Sequence, residues 1–272
     1  MRDEECVRFL QWALPRLGMS WAGYRKVRRQ VCRRVARRIA ELRLPDVASY
    51  RARLEEHPGE WEVLDGLTHI TISRFHRDRE VFDALRDEVL PALARSARAA
   101  GRTSLGAWSA GAAGGEEPYT LALMWNLDLA DRCGHLALRI LATDVEDSML
   151  ARANAARYDA GSLEDVPERW RRLAFTDDDG GHRLRPEHRT PVTFERHDLR
   201  GPAPASDLDL VLCRYLAFTY FDAAGRMRVA RTLAGALRRG GALILGTHEA
   251  IPDGIDELEP WPGRRGIHRL RP

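Results

Sequence analysis

Residues Trp108 to Tyr119 run Trp-Ser-Ala-Gly-Ala-Ala-Gly-Gly-Glu-Glu-Pro-Tyr, between a short apolar run and the helical pattern Thr120-Leu121-Ala122-Leu123-Met124-Trp125. A strand, a loop of small residues and a helix form the first unit of a doubly wound α/β nucleotide-binding sheet. Small residues let the backbone approach a ligand closely. The following helix offers free N–H groups at its start. Glu116 and Glu117, however, fall where a phosphate would lie. Two carboxylates there repel a pyrophosphate and suit a cationic or hydroxylated ligand.

From Ser104 onward strands and helices alternate. Strands are expected at Leu105–Trp108, Leu138–Asp144, Val192–Leu199, Leu208–Cys213 and Ala242–Gly246, with helices at 148–156 and 225–238. A turn is expected at Gly240-Gly241, and a hairpin around Asp177-Asp178-Asp179-Gly180-Gly181. The alternation predicts an α/β fold: a doubly wound, mostly parallel, Rossmann-like sheet covered on both faces. Residues 1–70 predict a small all-helical N-terminal domain, 71–100 a linker and bridging helix, and 101–272 the sheet domain with a short hairpin insertion near 173–196. The Pro260–Pro272 tail reads as a loosely ordered end.

In the N-terminal region Phe9, Leu10, Ala13, Leu14 and Leu17 mark one helix face before Gly18. Val27, Val31, Val35 and Ile39 mark a second helix, Pro45-Asp46 begins a third, and Trp61, Leu64 and Leu67 suggest a fourth after His57-Pro58-Gly59. The second helix carries Arg25, Lys26, Arg28, Arg29, Arg33, Arg34, Arg37 and Arg38 with no acidic residue between them. Lys26, Arg29, Arg33 and Arg37 form one stripe, opposite the valines. A solvated outer face usually mixes charge signs. The uniform sign points to an acidic partner, and the absence of interleaved aromatics favours protein over nucleic acid. The chain as a whole has net charge +3, so the argument rests on this local cluster.

Cys6, Cys32, Cys133 and Cys213 are far apart in sequence, with no metal-ligand spacing, and are expected as reduced thiols. No apolar run reaches the ~18 residues of a membrane span, and the start lacks a signal peptide's apolar segment, so a cytoplasmic protein without membrane insertion is expected.

In such sheets the ligand lies beyond the carboxyl ends of the strands. Asp144 ends the second strand, where a carboxylate can accept both hydroxyls of a ribose. Asp198 and Leu199 end another, where an adenine can pack. Arg214 and Tyr215 end the fourth, beside the centre of the cleft, and Arg77 can meet a ligand carboxylate. S-adenosylmethionine, with an ammonium and a sulfonium but no phosphate, fits these groups. No nucleophile–base triad or metal-ligand cluster emerges. Methyl transfer to a carboxylate asks for positioning and desolvation of an already good nucleophile. Arg214 is the candidate to hold the incoming carboxylate by a paired contact, with orienting a neighbouring side chain as the alternative role.

Four motifs together resemble the CheR family of chemotaxis-receptor glutamate methyltransferases: Ser73-Arg74-Phe75-His76-Arg77-Asp78, Trp108–Gly111 through Glu116–Tyr119, Ala142-Thr143-Asp144, and Cys213-Arg214 with Tyr220-Phe221-Asp222. Gly246–Glu249 resembles the family's closing strand motif. The resemblance implies a class I S-adenosylmethionine-dependent methyltransferase that esterifies glutamates of a receptor-like partner, docked through the basic helix. It implies cofactor contacts at Thr71, Ser73, Arg77, Ala110, Gly111, Glu117, Asp144, Asp198, Leu199, Arg214 and Tyr215, with Arg214 and Tyr220 on the catalytic side. Three positions depart from the family: Tyr215 stands where Asn is usual, one extra residue separates Arg214 from Tyr220, and Ala112 replaces a Cys. The first two bear on the choice of acceptor. A small-molecule carboxylate acceptor, a cofactor-binding regulatory module without turnover, and an RNA methyltransferase stay open as alternatives.

Overall fold

The computed structural model describes residues 2–271, and its first helices follow the apolar spacing closely. They are α1 (Asp3–Ala13), α2 (Trp21–Tyr24), α3 (Arg28–Glu41), α4 (Val47–Glu56) and α5 (Gly59–Thr68). Asp46 caps α4 by accepting from the Ser49 N–H at 2.8 Å, which satisfies one of the orphan donors at a helix start. With residues 216–227, residues 1–70 make one compact unit. Its core includes Phe9, Leu10, Leu14, Val31, Val35, Tyr50, Leu54 and Leu64, all buried. Glu60 is buried as well, where it pairs with Arg38 at 2.8 Å and accepts from the Tyr50 hydroxyl at 3.1 Å.

Cys6 of α1 and Cys32 of α3 form a disulfide, against the expectation of four free thiols. Cys133 and Cys213 are buried and take no part in a disulfide. The pairing was invisible in sequence because the two helices meet only after folding. Cross-linking residues 26 apart restricts the unfolded chain, a contribution of about 3.5 kcal/mol in the chain-entropy account.

The second unit comprises residues 71–215 and 228–272. The segment read as a linker therefore belongs to it: α6 (Arg79–Ala84) passes through a turn of wider winding at Leu85–Val89 into α7 (Leu90–Ala99). Then come β1 (Ser104–Ala110), α8 (Glu116–Met124), β2 (Ala137–Asp144), α9 (Asp147–Ala155), β3 (Arg157–Tyr158), α10 (Glu168–Ala174), β4 (Phe175–Asp178), β5 (Gly181–Leu184), β6 (Val192–Arg196) and β7 (Leu208–Leu212). The helical turn α11 (Ala217–Tyr220) lies within the first unit, and α12 (Ala223–Ala236) leads to β8 (Leu237–Ile244), β9 (Leu258–Pro260) and β10 (Ile267–Leu270).

The main sheet has the order β6-β2-β1-β7-β8-β10-β9. The strands β6, β2, β1, β7 and β8 pair in parallel, and β10 and β9 add antiparallel. Strand order reverses on either side of β1, which puts a crevice at the carboxyl ends of β1 and β7. Apolar side chains such as Leu105, Ala107, Leu138, Ile140, Leu210, Leu212 and Ile244 form the core with Leu121, Met124 and Trp125 of the α8 helix and its extension.

Two sequence expectations change here. The tail is not loose: β10 covers what would otherwise be the open edge of β8, satisfying its backbone groups. Its Pro-, Gly- and Arg-rich composition hid two short strands. Gly240-Gly241 does not end a separate turn either. Gly240 takes φ +78 inside β8, and the pairing with β7 absorbs it as an irregularity. The predicted hairpin is β4–β5, to which β3 adds a third strand.

Candidate active site

The loop after β1 is clamped onto the end of β2. Gly111 and Ala112 both donate their N–H to the Thr143 carbonyl, at 2.8 and 2.9 Å. Ala113 donates to Asp144 Oδ2 at 2.8 Å, and Glu146 N–H donates to Oδ1 at 3.0 Å. Asp144 thus fixes the loop through one lone pair on each oxygen and keeps acceptor capacity on both. Ala110, the last residue of β1, is buried, and Gly111 takes φ +80. Gly115 takes φ +89, and a Cβ there would meet Ala153, Phe194 and the Tyr158 hydroxyl at 3.0–3.1 Å. Glycine is therefore required for α8 to start so close to the sheet.

The two glutamates at the start of α8 go different ways. Glu116 turns inward, 1% exposed, to Arg152 at 2.9 Å. It therefore does not face a ligand beside Glu117, as the sequence suggested. Burial pushes its carboxyl above the usual range, opposed by Arg152 and by the Ser73 hydroxyl. Glu117 Oε1 accepts from the Ser109 hydroxyl at 2.9 Å, and Oε2 accepts from Arg214 Nη1 at 3.0 Å.

Arg214, just past β7, is the hub of the site. Its side chain is 3% exposed and pairs with Asp78 at 2.8 Å and with Glu117. Nη2 also donates to the Arg77 carbonyl at 2.8 Å. A guanidinium so committed inside the protein is not an open clamp for an incoming carboxylate. It draws together three separate segments: the one before α6, the start of α8 and the end of β7.

Arg77 lies between two residues in left-handed conformation, His76 (φ 55) and Asp78 (φ 60). Its guanidinium sits 4.1 Å over the centre of the Tyr215 ring and donates to the Ile72 carbonyl at 3.0 Å. Tyr215 is itself left-handed, φ 55. That conformation costs about 1–2 kcal/mol for most residues and less for Asn, the residue that the resemblance implied at this position. Four of the nine non-glycine residues with positive φ among the described residues are His76, Asp78, Ala113 and Tyr215. Strain of this kind concentrates at functional sites.

The Tyr215 hydroxyl bonds to Asp78 Oδ2 and lies 3.1 Å from the Thr247 hydroxyl. Its backbone N–H and that of Gly246 both donate to Glu249 Oε2, at 2.7 and 2.9 Å. Burial and the Asp78 contact hold the phenol above its usual range, so it remains a donor. A cleft of about 600 Å³ opens beside these groups, lined in part by Asp78, Arg79, Thr247, His248, Arg264 and Arg265.

Of the remaining site candidates, Thr71 and Ser73 are half-buried on the segment leading to α6. Leu199 is buried after β6, and Asp198 pairs with Arg200 at 2.7 Å. Tyr220 belongs to the first unit, with its ring 5.0 Å from that of Tyr24 and its carbonyl accepting from Ser20 N–H at 2.7 Å. Asp78, Arg152, Thr247 and Glu249 were missed as site residues. Asp78 and Glu249 close motifs already visible in the sequence; Arg152 and Thr247 carried no local signal.

The eight cations of the basic segment divide by use. Arg28 pairs with Asp3 at 3.0 Å, Arg38 pairs with Glu60, and Arg34 donates to the His69 carbonyl at 2.5 Å. Arg25, Lys26, Arg29, Arg33 and Arg37 are exposed, with Arg37 3.6 Å from Glu41.

Residues 71–267 match the family described as CheR methyltransferase, SAM binding domain. The chain is 32% identical over 240 residues to the chemotaxis protein methyltransferase of Listeria monocytogenes serovar 1/2a, spanning 88% of this chain and 87% of that protein. It is 36% identical over 190 residues to the chemotaxis protein methyltransferase of Listeria innocua serovar 6a, spanning 70% of this chain and 69% of that one. Over 225 residues it is 32% identical to a probable chemotaxis protein methyltransferase of Rhizobium etli, spanning 80% and 82%.

Proposed function

Because the chain belongs to the CheR family of S-adenosylmethionine-dependent methyltransferases, we propose that it methylates glutamate side-chain carboxylates of a receptor-like signalling protein, giving methyl esters. The observation that carries the substrate reading is the division of the basic segment: three arginines are spent within the unit, while Arg29, Arg33 and Arg37 of α3 are exposed, as is Lys26 in the turn before it, which the sequence pattern had put on the helix. A long, uniformly positive stripe suits a carboxylate-rich protein surface.

The residues present suit the cofactor, which supplies an electrophilic methyl group when bound. Glu117 offers carboxylate charge toward an ammonium, and Arg77 offers a cation toward a carboxylate. Asp144 retains acceptor capacity for two ribose hydroxyls, and Ala110 and Gly111 let the backbone approach. Asp198 and Leu199 frame the adenine side, with Thr71 and Ser73 lining the approach. Arg214 acts by positioning: it aligns Glu117, Asp78 and the backbone of Arg77, and Tyr215 completes that wall. Tyr220 stays the candidate for the acceptor side. A glutamate carboxylate needs no base to become nucleophilic, so orientation and exclusion of water supply most of the acceleration.

The test offers a radiolabelled methyl donor to the purified protein with an acidic receptor cytoplasmic fragment and reads base-labile label. Exchange of Arg29, Arg33 and Arg37 for Glu should abolish labelling at physiological salt while leaving S-adenosylhomocysteine affinity unchanged. Undiminished labelling would reduce the stripe to a solvated face. Tyr215 in place of Asn favours a second reading, a small carboxylate acceptor; label recovered in a small volatile-ester fraction and not on protein would select it. A cytoplasmic location goes with the main reading, although the Cys6–Cys32 disulfide runs against the reducing poise of that compartment. Among the described residues no helix is long and apolar enough to cross a membrane.

A further inference from the structure

We infer that Tyr215 is a positioning residue whose ring face holds the Arg77 guanidinium in place for the carboxylate of the cofactor's amino-acid end. The inference rests on the assignment of Arg77 to that carboxylate.

Arginine has many rotamers, and an arginine that must meet a ligand carboxylate gains if it is already oriented. Here the guanidinium lies 4.1 Å over the Tyr215 ring, well within the range of a cation–π contact. The ring in turn is fixed on several sides. Beneath it is Gly246, where a Cβ would come within 2.5 Å of ring carbon Cε1. At its tip the hydroxyl is engaged by Asp78 and Thr247. At its root the backbone N–H is held by Glu249.

Asp78 directly follows Arg77 in the chain, so one carboxylate ties the ring to the segment that carries the cation. It also polarises the phenol, which enriches the ring face in negative charge and strengthens its hold on the guanidinium. An asparagine at this position has no face to offer. The strained backbone of Tyr215 is thus offset by contacts that orient Arg77, and Gly246 is the residue that makes room for them.

The experiment is a calorimetric titration with S-adenosylhomocysteine and, in parallel, with 5′-methylthioadenosine, which lacks the amino-acid end. Tyr215→Phe keeps the ring and Tyr215→Leu keeps bulk without a π face. The expected result for S-adenosylhomocysteine is affinity within about threefold of the native protein for Tyr215→Phe and about tenfold weaker for Tyr215→Leu. Arg77→Ala should weaken binding by at least as much, and adding Tyr215→Leu to it should weaken binding no further. 5′-Methylthioadenosine should bind all variants alike, and that agreement shows the site to be intact. Multiplying losses in the double variant, or equal weakening of both ligands by Tyr215→Leu, would overturn the inference. An Arg77→Ala variant with native affinity would instead remove the assignment of Arg77, and the inference with it.

Discussion

Strand β7 carries a buried charge network at each end, and the two are built in opposite senses. At its start Asp209, 1% exposed, is met by Arg102 at 2.9 Å, by Arg238 at 3.1 Å and by the Gly106 N–H at 2.9 Å. There the anion is sealed inside, and the cations that serve it reach outward, 24% and 31% exposed. At its end the buried member is the cation Arg214, and the acids around it, Asp78 and Glu117, are the more open, 22% and 13% exposed. The first network leaves its anion no role beyond its own neutralisation. The second holds carboxylates and a phenol at the carboxyl edge of the sheet, where doubly wound folds bind ligands. Burial of an ion pair therefore does not identify a site; which partner is turned outward, and at which end of the strand, does.

The sharpest way to break this comparison is Asp209→Ala. It strands two arginines and a backbone N–H around an empty place, and removing one side of a buried pair costs about 3 kcal/mol. Chemical denaturation should show that loss, while S-adenosylhomocysteine affinity should stay within about twofold because the site lies at the other end of the strand. A parallel fall in affinity would mean that the two networks are one. At the other end, Arg214→Lys keeps the charge but replaces a fork by a single ammonium, which cannot serve Glu117, Asp78 and the Arg77 carbonyl together. Here affinity should fall about tenfold, about 1.4 kcal/mol, with a smaller loss of stability. A variant that loses stability but binds as before would make Arg214 a structural counterpart of Asp209.

The fold was legible because apolar runs after Ser104 alternate with helical patterns, and the central strands β1, β2 and β7 are mainly apolar and buried. The short antiparallel strands β9 and β10 were not, since strands of three and four residues amid Arg, Gly and Pro carry no periodicity. In the candidate site, the placement of Glu117 at a helix start and of Asp144 and Arg214 at strand ends was legible from their motifs. The direction in which each side chain points was not. Of the two roles open to Arg214, its enclosed side chain agrees with orienting its neighbours rather than with clamping an incoming carboxylate, and Glu116, expected toward a ligand, faces Arg152. Sequence places a charge at a strand end or helix start, but only packing decides which of two adjacent carboxylates turns inward. The Cys6–Cys32 bond belongs to the same class: it is a contact between helices and left no trace in spacing.

That division between Glu116 and Glu117 yields the smallest and most specific test, one read as a slope rather than an offset. Burial raises the Glu116 carboxyl above 4.5, its ordinary value in an unfolded chain. In the window above that value the folded state binds more protons than the unfolded state, so stability falls as pH rises through it. The sign is the reverse of that for a paired surface acid, whose depressed value makes stability fall on acidification. Glu116→Gln removes the titrating proton while keeping an acceptor oxygen toward Arg152. Denaturation midpoints measured from mildly acidic to neutral pH should therefore show a slope in the native protein that the variant flattens. An identical slope in both would mean that Arg152 compensates the buried carboxylate fully and that Glu116 contributes nothing to the pH dependence.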